Sequence, residues 1–285
     1  MATQTQSEHS PGTVHVYQTR LYEFLSDRWV FTILTVVPAL ALFAFINLLP
    51  MTWAFAASFF EIGAFDPTWT WTGLTNYISV LNEAGFWASM GRSAIFAAGS
   101  VAFQVVFGTG LAILLNREFR FQKLVRAVAL LPYIVPTAVL SFIALWMGSP
   151  NFGVINQLLL QVGVFQNTNQ FISWFGSLEW AMFSVIVTNS WKFSIFVTIL
   201  VLARLQSIPD SIYEAAAVSG ASPIRRFIDI TLPNLKGVLF IAILLRGIWM
   251  FNKFDIVYIL TGGGPASKTL IAPIYAYRTA FVDNQ

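Results

Sequence analysis

The sequence predicts an all-helical membrane protein that crosses the bilayer several times, and two observations carry this prediction. Of the 285 residues, 56% are hydrophobic and only 10% are charged, whereas about a quarter of an average soluble domain is charged. Charge-free runs recur along the chain at the length of about 20 residues that a membrane-spanning helix needs. The solvent for much of the surface is therefore expected to be the lipid bilayer.

Five membrane spans are predicted, in the order of the chain. The first covers residues 29–60, which is too long for the apolar part of a signal peptide, so we expect it to remain as an anchor. Residues 93–116 and 127–147 are free of charge, whereas residues 180–203 and 237–260 contain a few charges. Each run is long enough to cross the hydrocarbon core as a helix.

The distribution of basic residues predicts which connectors face the cytoplasm. Cytoplasmic loops collect Lys and Arg, and the connector NREFRFQKLVR after the second span holds four bases against one acid, Glu118. The segment after the first span is acidic, and residues 149–178 carry no charge, so both should lie outside. The N-terminus and the loop between Arg204 and Lys236 should then lie inside.

This topology divides the chain into segments: a cytoplasmic tail (1–28), the first span (29–60), an external loop (61–87), and a transmembrane domain (88–285) that contains a cytoplasmic loop (205–236). Five spans leave Gln285 outside. The bases Lys268 and Arg278 suit that side poorly, so we expect a sixth span that this sequence does not contain.

The loop at 205–236 contains signals for two short helices. Ser211 and Glu214 form an S-x-x-E capping box that starts the first helix, and Gly220 supplies its left-handed end. Ser222 followed by Pro223 is the favoured start of a second helix.

The first of these helices carries three consecutive alanines, residues 215–217, whose small side chains would allow close approach by another protein. A lid lying on the membrane surface is an equal alternative on physical grounds. A DNA-reading helix-turn-helix is disfavoured, because Arg225 and Arg226 are offset by nearby acids.

The segment EAAAVSGASPIRRFIDITLP resembles the EAA loop of binding-protein-dependent ABC importer permeases, whose pattern is EAA, three residues, G, and an I-x-LP ending. The matching positions are Glu214, Ala215, Ala216, Gly220, Ile230, Leu232 and Pro233. The segments ILLNREFRFQKLVRAVALLPYIVP, FGVINQLL, NSWKF, LARLQSIP and WMFNKFDIVYILTGGGP resemble the carbohydrate-type branch, the maltose- or disaccharide-like permeases. The resemblance covers most of residues 30–281.

The resemblance implies a type I ABC importer transmembrane domain that forms the translocation path for a sugar, an oligosaccharide or disaccharide. It implies a second, homologous permease, two cytoplasmic ATPase subunits that carry ATP and Mg²⁺, an external solute-binding protein, and a bacterial or archaeal cytoplasmic membrane. The chain itself is expected to be non-catalytic and to hold no cofactor. Contact with the ATPase is assigned to Tyr213, Glu214, Ala215, Ala216, Ala217, Gly220 and Ala221.

Polar residues inside the predicted spans are candidates for the translocation path. A charge at the centre of a span costs about 2.5–3.5 kcal/mol and usually faces a bundle interior or a water-filled passage. Arg246 and Lys253 are expected near the same helical face. The candidates are Asn189, Lys192, Arg246, Asn252, Lys253 and Asp255, with Trp191 and Trp249 nearby for stacking on a sugar ring. The alternative is that these charges anchor helices or pair with a partner subunit and that the tryptophans only pack.

Several kinds of site are disfavoured. Residues 262–269, GGGPASKT, nearly match a phosphate-binding loop, but Ser267 replaces its second glycine and the topology places it outside. His9 and His15 lack a third ligand for a metal. The chain has no cysteine, and it shows no catalytic constellation and no sign of nucleic-acid binding.

Two rival classes stay open. An ion-coupled secondary transporter or channel would use the intramembrane charges, but no internal inverted repeat is found. A membrane scaffold would recruit a cytoplasmic partner without any passage. The prolines Pro132 and Pro136 are expected to bend the third span, because each removes a backbone donor.

Overall fold

The computed structural model describes residues 28–63 and 68–282, which fall into two compact units, 1–80 and 81–285. The first unit contains helix α1 (Arg28–Phe43), a π-helical turn (Ala44–Leu48), α2 (Leu49–Ala57), and strands β1 (Phe60–Ile62) and β2 (Trp69–Trp71). The boundary between the units falls in α3 (Thr75–Asn82).

The second unit is a helical bundle. Its long helices are α4 (Ala84–Asn116), α8 (Ala181–Gln206) and α11 (Leu232–Phe251). The shorter ones are α5 (Gln122–Ile134), α6 (Thr137–Met147), α7 (Val154–Gln161), α9 (Asp210–Val218), α10 (Pro223–Arg226), α12 (Asp255–Thr261) and α13 (Ala272–Phe281). A 3₁₀ turn (Thr168–Gln170) and a π-helical turn (Phe227–Thr231) complete it.

The first predicted span is shorter than expected. Contrary to the prediction, the chain is not helical throughout, because two short β-strands follow this span. The helical segment ends at Ala57, where Ser58 Oγ donates to the Phe55 carbonyl at 2.6 Å. The chain then enters an antiparallel hairpin in which Phe60 pairs with Trp71. Their rings lie 5.0 Å apart edge to face, a cross-strand aromatic contact that stabilises such a pair.

Helices α4 and α8 form the centre of the second unit, and α11 packs on both. Their close approach depends on Gly108, because a Cβ there would lie 2.7 Å from the Ser194 carbonyl oxygen and 2.8 Å from Val197 Cβ. Thr198 Oγ1 donates to the Gly108 carbonyl at 3.2 Å across the same contact. Small residues and interhelical hydrogen bonds are the usual means of joining helices in lipid.

Within residues 28–63 and 68–282, four helical segments are long and apolar enough to cross a membrane: Trp29–Ala57, Ala84–Asn116, Ala181–Gln206 and Pro223–Phe251. A fifth is obtained only if α5 and α6 are counted as one broken span. The predicted span at 93–116 lies within α4, and the one at 180–203 lies within α8 except for Trp180, the N-cap residue of that helix. Helix α4 begins at Ala84, so the predicted external loop at 61–87 contains β2, α3 and the first turn of α4. The five-span count and the sixth span stay predictions.

The third predicted span, 127–147, is two helices and not one bent helix. Helices α5 and α6 meet at 94° at Val135 and Pro136. Val135 is extended, with ψ of 129°, and Pro136 is the N-cap residue of α6. The paired prolines thus mark the position of the break correctly, although Pro132 lies inside α5.

The fifth predicted span, 237–260, is wrong at both ends. Helix α10, the π-helical turn and α11 form one continuous helical segment, so the second predicted loop helix is the start of this span. At the other end, α11 stops at Phe251, and Asn252 Nδ2 donates back to the Ile248 carbonyl at 3.0 Å. Asp255 then opens α12, where an acid in the first turn favours the helix dipole.

Candidate functional site

The EAA loop (residues 205–236) begins with α9, whose start differs from the prediction. The helix begins at Asp210 with Pro209 as its N-cap residue, and no side-chain capping bond forms. The predicted capping box of Ser211 and Glu214 is therefore wrong: because the helix starts two residues earlier than predicted, Ser211 already lies inside it.

The end of α9 agrees with the prediction. Gly220 has a φ of +77°, and its amide donates to the Ala217 carbonyl at 3.0 Å. The Ala221 amide donates to the Ala216 carbonyl at 2.9 Å. This pair of bonds is a Schellman motif, which requires a left-handed residue at the glycine position.

Tyr213 attaches α9 to the bundle. Its hydroxyl lies 3.0 Å from Thr231 Oγ1, and its ring packs against a buried cluster that includes Leu205 and Leu235. The opposite face of the helix is open: Val218 is 91% exposed. Ser211 and Ala215 are also exposed on this face, whereas Glu214 and Ala217 are exposed towards the sides, Ala217 lying one turn after Tyr213. The helix therefore has one side fixed to the bundle and a small-residue side free for a partner.

The second half of the loop leads directly into the bundle. Ser222 Oγ accepts from the Arg225 amide at 3.3 Å, which confirms the predicted start of α10. At the base of the loop, Arg204 Nε donates to the Asn234 carbonyl at 3.0 Å and Arg204 Nη2 to Asn234 Oδ1 at 3.2 Å. These bonds tie the last turn of α8 to the first turn of α11.

An open cleft of about 880 Å³ separates α9 from the end of α4. Its charged lining combines two acids with two bases. The lining residues are Ile113, Asn116, Arg117, Leu205, Asp210, Tyr213, Glu214, Ala217, Pro223, Ile224, Arg226, Phe227 and Thr231. The EAA helix thus stands away from the bundle on its Glu214 side and is held on its Tyr213 side.

Lys192 is buried at the break between α5 and α6, with 5% of its surface exposed. Its ammonium donates to the Val135 carbonyl at 2.6 Å and to Thr137 Oγ1 at 3.1 Å. The carbonyl is available because Val135 leaves the helical conformation before the proline. Lys192 therefore has two hydrogen-bond acceptors inside its own chain, and the alternative in which it pairs with a partner subunit stays a prediction.

Arg246 is 2% exposed and lies against α4 and α8. Its Nε donates to Gln104 Oε1 at 2.6 Å, and its guanidinium carbon lies 4.8 Å from the ring centroid of Phe193. The rings of Phe196 and Trp249 lie 5.8 and 5.4 Å from it. Aromatic faces partly replace water around a cation in such a site.

Asn189 is fully buried beside this group. Its Nδ2 donates to Ser100 Oγ at 3.3 Å and to Met250 Sδ at 3.0 Å. Its Oδ1 is buried without a hydrogen-bond partner among the described residues. Gln104 donates to the same sulfur at 3.4 Å, so the polar groups of α4, α8 and α11 meet at Met250.

The remaining candidates lie at the break after α11. Lys253 Nζ is 2.8 Å from Asp255 Oδ1 and 4.4 Å from the Phe193 ring centroid. The expectation that Arg246 and Lys253 share a helical face is wrong as stated, because the helix ends before Lys253, yet both cations contact the same ring. Asn252 is exposed.

The sequence reasoning missed Gln104 and Phe193, which connect these candidates. A glutamine within the charge-free run 93–116 was a usable signal, because a lone polar group in a span needs a partner. The signal for Phe193 was weaker: it is one of 27 phenylalanines, and only its place at the end of the NSWKF segment distinguishes it.

The GGGPASKT segment differs from a phosphate-binding loop in the described part of the chain. The Thr269 hydroxyl of the GGGPASKT segment is buried, lies 2.6 Å from Thr261 Oγ1 and donates to the Gly264 carbonyl at 2.6 Å, so it is not presented to a phosphate-bound metal. Among the described residues, no group of three His, Cys, Asp or Glu side chains is placed to hold a metal ion. His9 and His15 lie outside the described residues.

Comparison with known proteins places this arrangement in a family. Residues 104–283 match the sequence profile described as the binding-protein-dependent transport system inner membrane component. The trehalose/maltose transport system permease protein of Thermococcus litoralis is 35% identical over 244 residues, 86% of this chain and 81% of that protein. The sulfoquinovosyl glycerol transport system permease protein of Agrobacterium fabrum is 34% identical over 263 residues, 91% of this chain and 83% of that protein.

The fold is also that of a solved transporter. The crystal structure of a bacterial ABC transporter involved in the import of the acidic polysaccharide alginate superposes with a TM-score of 0.75 at 21% identity, covering 93% of this chain and 89% of that chain. The fold is thus the helical fold of a type I ABC importer permease, in a protein that crosses the membrane several times. This chain belongs to the family of inner membrane components of binding-protein-dependent transport systems.

Proposed function

We propose that the chain is one of two permease subunits that form the translocation path of an ATP-driven sugar importer. Relatives named for trehalose/maltose, sulfoquinovosyl glycerol and diacetylchitobiose support a sugar as the cargo, an oligosaccharide or disaccharide. A related alginate transporter was crystallised with an oligosaccharide-bound periplasmic protein, which supports delivery by an external solute-binding protein. The second permease is proposed to be a homologous chain.

The observation that carries this proposal is the mechanical connection of the EAA loop. Its exposed small-residue face is available to an ATPase, while Tyr213 and the continuous segment Pro223–Phe251 join that face to the bundle. Two cytoplasmic ATPase subunits would hold the ATP and Mg²⁺. The contact is assigned to Tyr213, Glu214, Ala215, Ala216, Ala217, Gly220 and Ala221.

The proposed topology follows the distribution of bases. The tail at 1–28 and the loop at 205–236 face the cytoplasm of a bacterial or archaeal cell, and the connector at 61–87 faces outside. The first span, which ends at Ala57, precedes the transmembrane domain proposed at 88–285.

The path residues are proposed to act in two layers. Asn252, Lys253 and Asp255 lie at the break after α11, where Asn252 and half of the Asp255 side chain are accessible, and they would contact the sugar first. Asn189, Lys192 and Arg246 are buried in this conformation and would join the path when the helices separate. A single opening of the breaks at 135–136 and 252–254 would expose both layers.

The test is sugar-dependent ATP hydrolysis by the purified complex in lipid, with Gly220→Pro and Glu214→Arg. Proline is incompatible with a φ of +77° and removes the amide that bonds Ala217. We expect at least a tenfold loss of sugar stimulation, or loss of the ATPase from the complex.

Gly163→Pro is a matched control, because Gly163 ends α7 with φ of +79° and the same pair of backbone bonds. It should leave coupling intact. If sugar-stimulated ATP hydrolysis and ATPase binding are the same in Gly220→Pro and wild type, the EAA loop is only a lid on the membrane surface. The family match does not favour the ion-coupled transporter or the scaffold. Sugar uptake that persists without any ATPase would support the ion-coupled transporter.

A further inference from the structure

The connector between α4 and α5, residues 117–121, and the start of α5, residues 122–126, form an ordered turn that we call the basic elbow. Arg126 Nε and Nη2 donate to the Leu115 carbonyl at 3.2 and 2.9 Å. Gln122 Nε2 donates to the same carbonyl at 3.2 Å and to the Arg117 carbonyl at 2.9 Å. These bonds satisfy carbonyls that the end of α4 leaves free, so the shape of the elbow is fixed.

Three bases of the elbow project from this turn without an ionic partner. Arg117, Arg120 and Lys123 are exposed, and no carboxylate among the described residues lies within 4.0 Å of them. The EAA loop differs, since its Arg225 pairs with Asp229 at 3.3 Å. The elbow still contains Glu118, and Arg117 lines the cleft that also contains Asp210 and Glu214. Arg120 and Lys123 do not line that cleft, so the elbow presents a net positive charge on their side.

Exposed aromatic and aliphatic side chains accompany these bases. Phe121 is 66% exposed and has a φ of +67°, a left-handed conformation that is unusual for a bulky residue. The Arg120 guanidinium carbon lies 5.3 Å from its ring centroid. Phe119 is 40% and Leu124 62% exposed beside it. Strain of this kind persists only where the surrounding contacts impose it, and here it turns a phenylalanine outward.

The position of the basic elbow next to the membrane indicates which molecules contact its exposed side chains. It connects two charge-free stretches, 93–116 and 127–147, so its bases lie within a turn or two of the hydrocarbon edge. Bases next to exposed aromatic rings at this depth match the chemistry of acidic phospholipid headgroups above acyl chains. We propose that the basic elbow binds acidic phospholipids, with Phe119 and Phe121 in the boundary between headgroups and acyl chains. The proposal uses only the membrane-spanning character of the chain and not its cargo or its orientation.

The absence of cysteine allows a single-label experiment on the full chain. Phe121→Cys is labelled with an environment-sensitive fluorophore and placed in nanodiscs of phosphatidylcholine and phosphatidylglycerol. Two samples of the same lipid composition are compared. In one the phosphatidylcholine is brominated, and in the other the phosphatidylglycerol is brominated at the same mole fraction. We expect stronger quenching by brominated phosphatidylglycerol. Each base near the surface enriches an acidic lipid about fivefold, so Arg120→Gln with Lys123→Gln should remove most of the preference.

Two further variants keep the experiment decisive. Arg120→Lys with Lys123→Arg should retain the preference, and a label at Val218→Cys, which is 91% exposed on α9, should not be quenched by either lipid. Equal quenching by both lipids at position 121 would overturn the proposal. So would a label that stays in water until ATPase subunits are added, because the elbow would then be a protein contact.

Discussion

Lys192 illustrates how a single residue makes a broken helix possible inside a membrane bundle. An unpaired backbone carbonyl in lipid costs several kcal/mol, and the break between α5 and α6 releases one at Val135. The ammonium accepts no hydrogen bond and donates up to three, so it satisfies this carbonyl and the Thr137 hydroxyl together. The positive charge is thereby accommodated without a carboxylate at its own position.

Lys192→Met is expected to destabilise the bundle, because it keeps most of the apolar stem and removes the donor to Val135. Leaving a buried acceptor unsatisfied costs about 1–3 kcal/mol, which should lower the midpoint of thermal unfolding in detergent. Lys236→Met, at an exposed position of α11, is the control and should stay within about 0.5 kcal/mol of wild type. If the two variants unfold together, Lys192 does not hold the break.

Asn156 shows at the scale of an element how the uncharged connector between α6 and α8 is ordered. The side chain is fully buried on α7, where its Nδ2 donates to the Ile172 and Ser149 carbonyls at 2.9 and 3.3 Å. Its Oδ1 accepts from the Ile172 amide at 3.3 Å and from Trp174 Nε1 at 3.0 Å. One amide thus joins both ends of the connector and uses its full bonding capacity.

Replacing Asn156 by Leu should loosen residues 149–178, since four hydrogen bonds are lost for a side chain of similar size. Hydrogen exchange of this segment should accelerate at least tenfold, while the EAA loop at 205–236 keeps its protection. Gln157→Leu, one residue on and exposed, is the matched control. Unchanged exchange in Asn156→Leu would mean that apolar packing alone orders the connector.

Local signals predicted several elements that depend on neighbouring residues, although the capping box of Ser211 and Glu214 was wrong. They failed where distant residues determine the structure. Gly220 and Ser222 end and start helices through bonds within a few positions, so their roles were readable. The 94° angle between α5 and α6 at Val135 could not be predicted in this way. The break leaves the Val135 carbonyl free, and that carbonyl is satisfied by Lys192, 57 residues away. The hydrogen bond between Gln104 and Arg246 joins residues 142 positions apart, and no periodic pattern in the sequence indicates it.

At the scale of the whole molecule, the proposed orientation can be checked with two single cysteines. Val218 on α9 is 91% exposed and Phe152, beside α7, is 59% exposed. In intact cells a membrane-impermeant maleimide should label Phe152→Cys at once and Val218→Cys only after permeabilisation. The reverse pattern would invert the topology, and equal labelling would show that the cells were leaky.

The uninterrupted helical segment Pro223–Phe251 has a geometric consequence for force transmission. Its 29 residues at about 1.5 Å each make a rod about 44 Å long, with the EAA loop at one end and Asn252 at the other. A tilt of about 10° about the loop end carries the far end through an arc of about 8 Å. A modest rocking motion at the loop end therefore displaces Lys253 by about the width of a sugar ring.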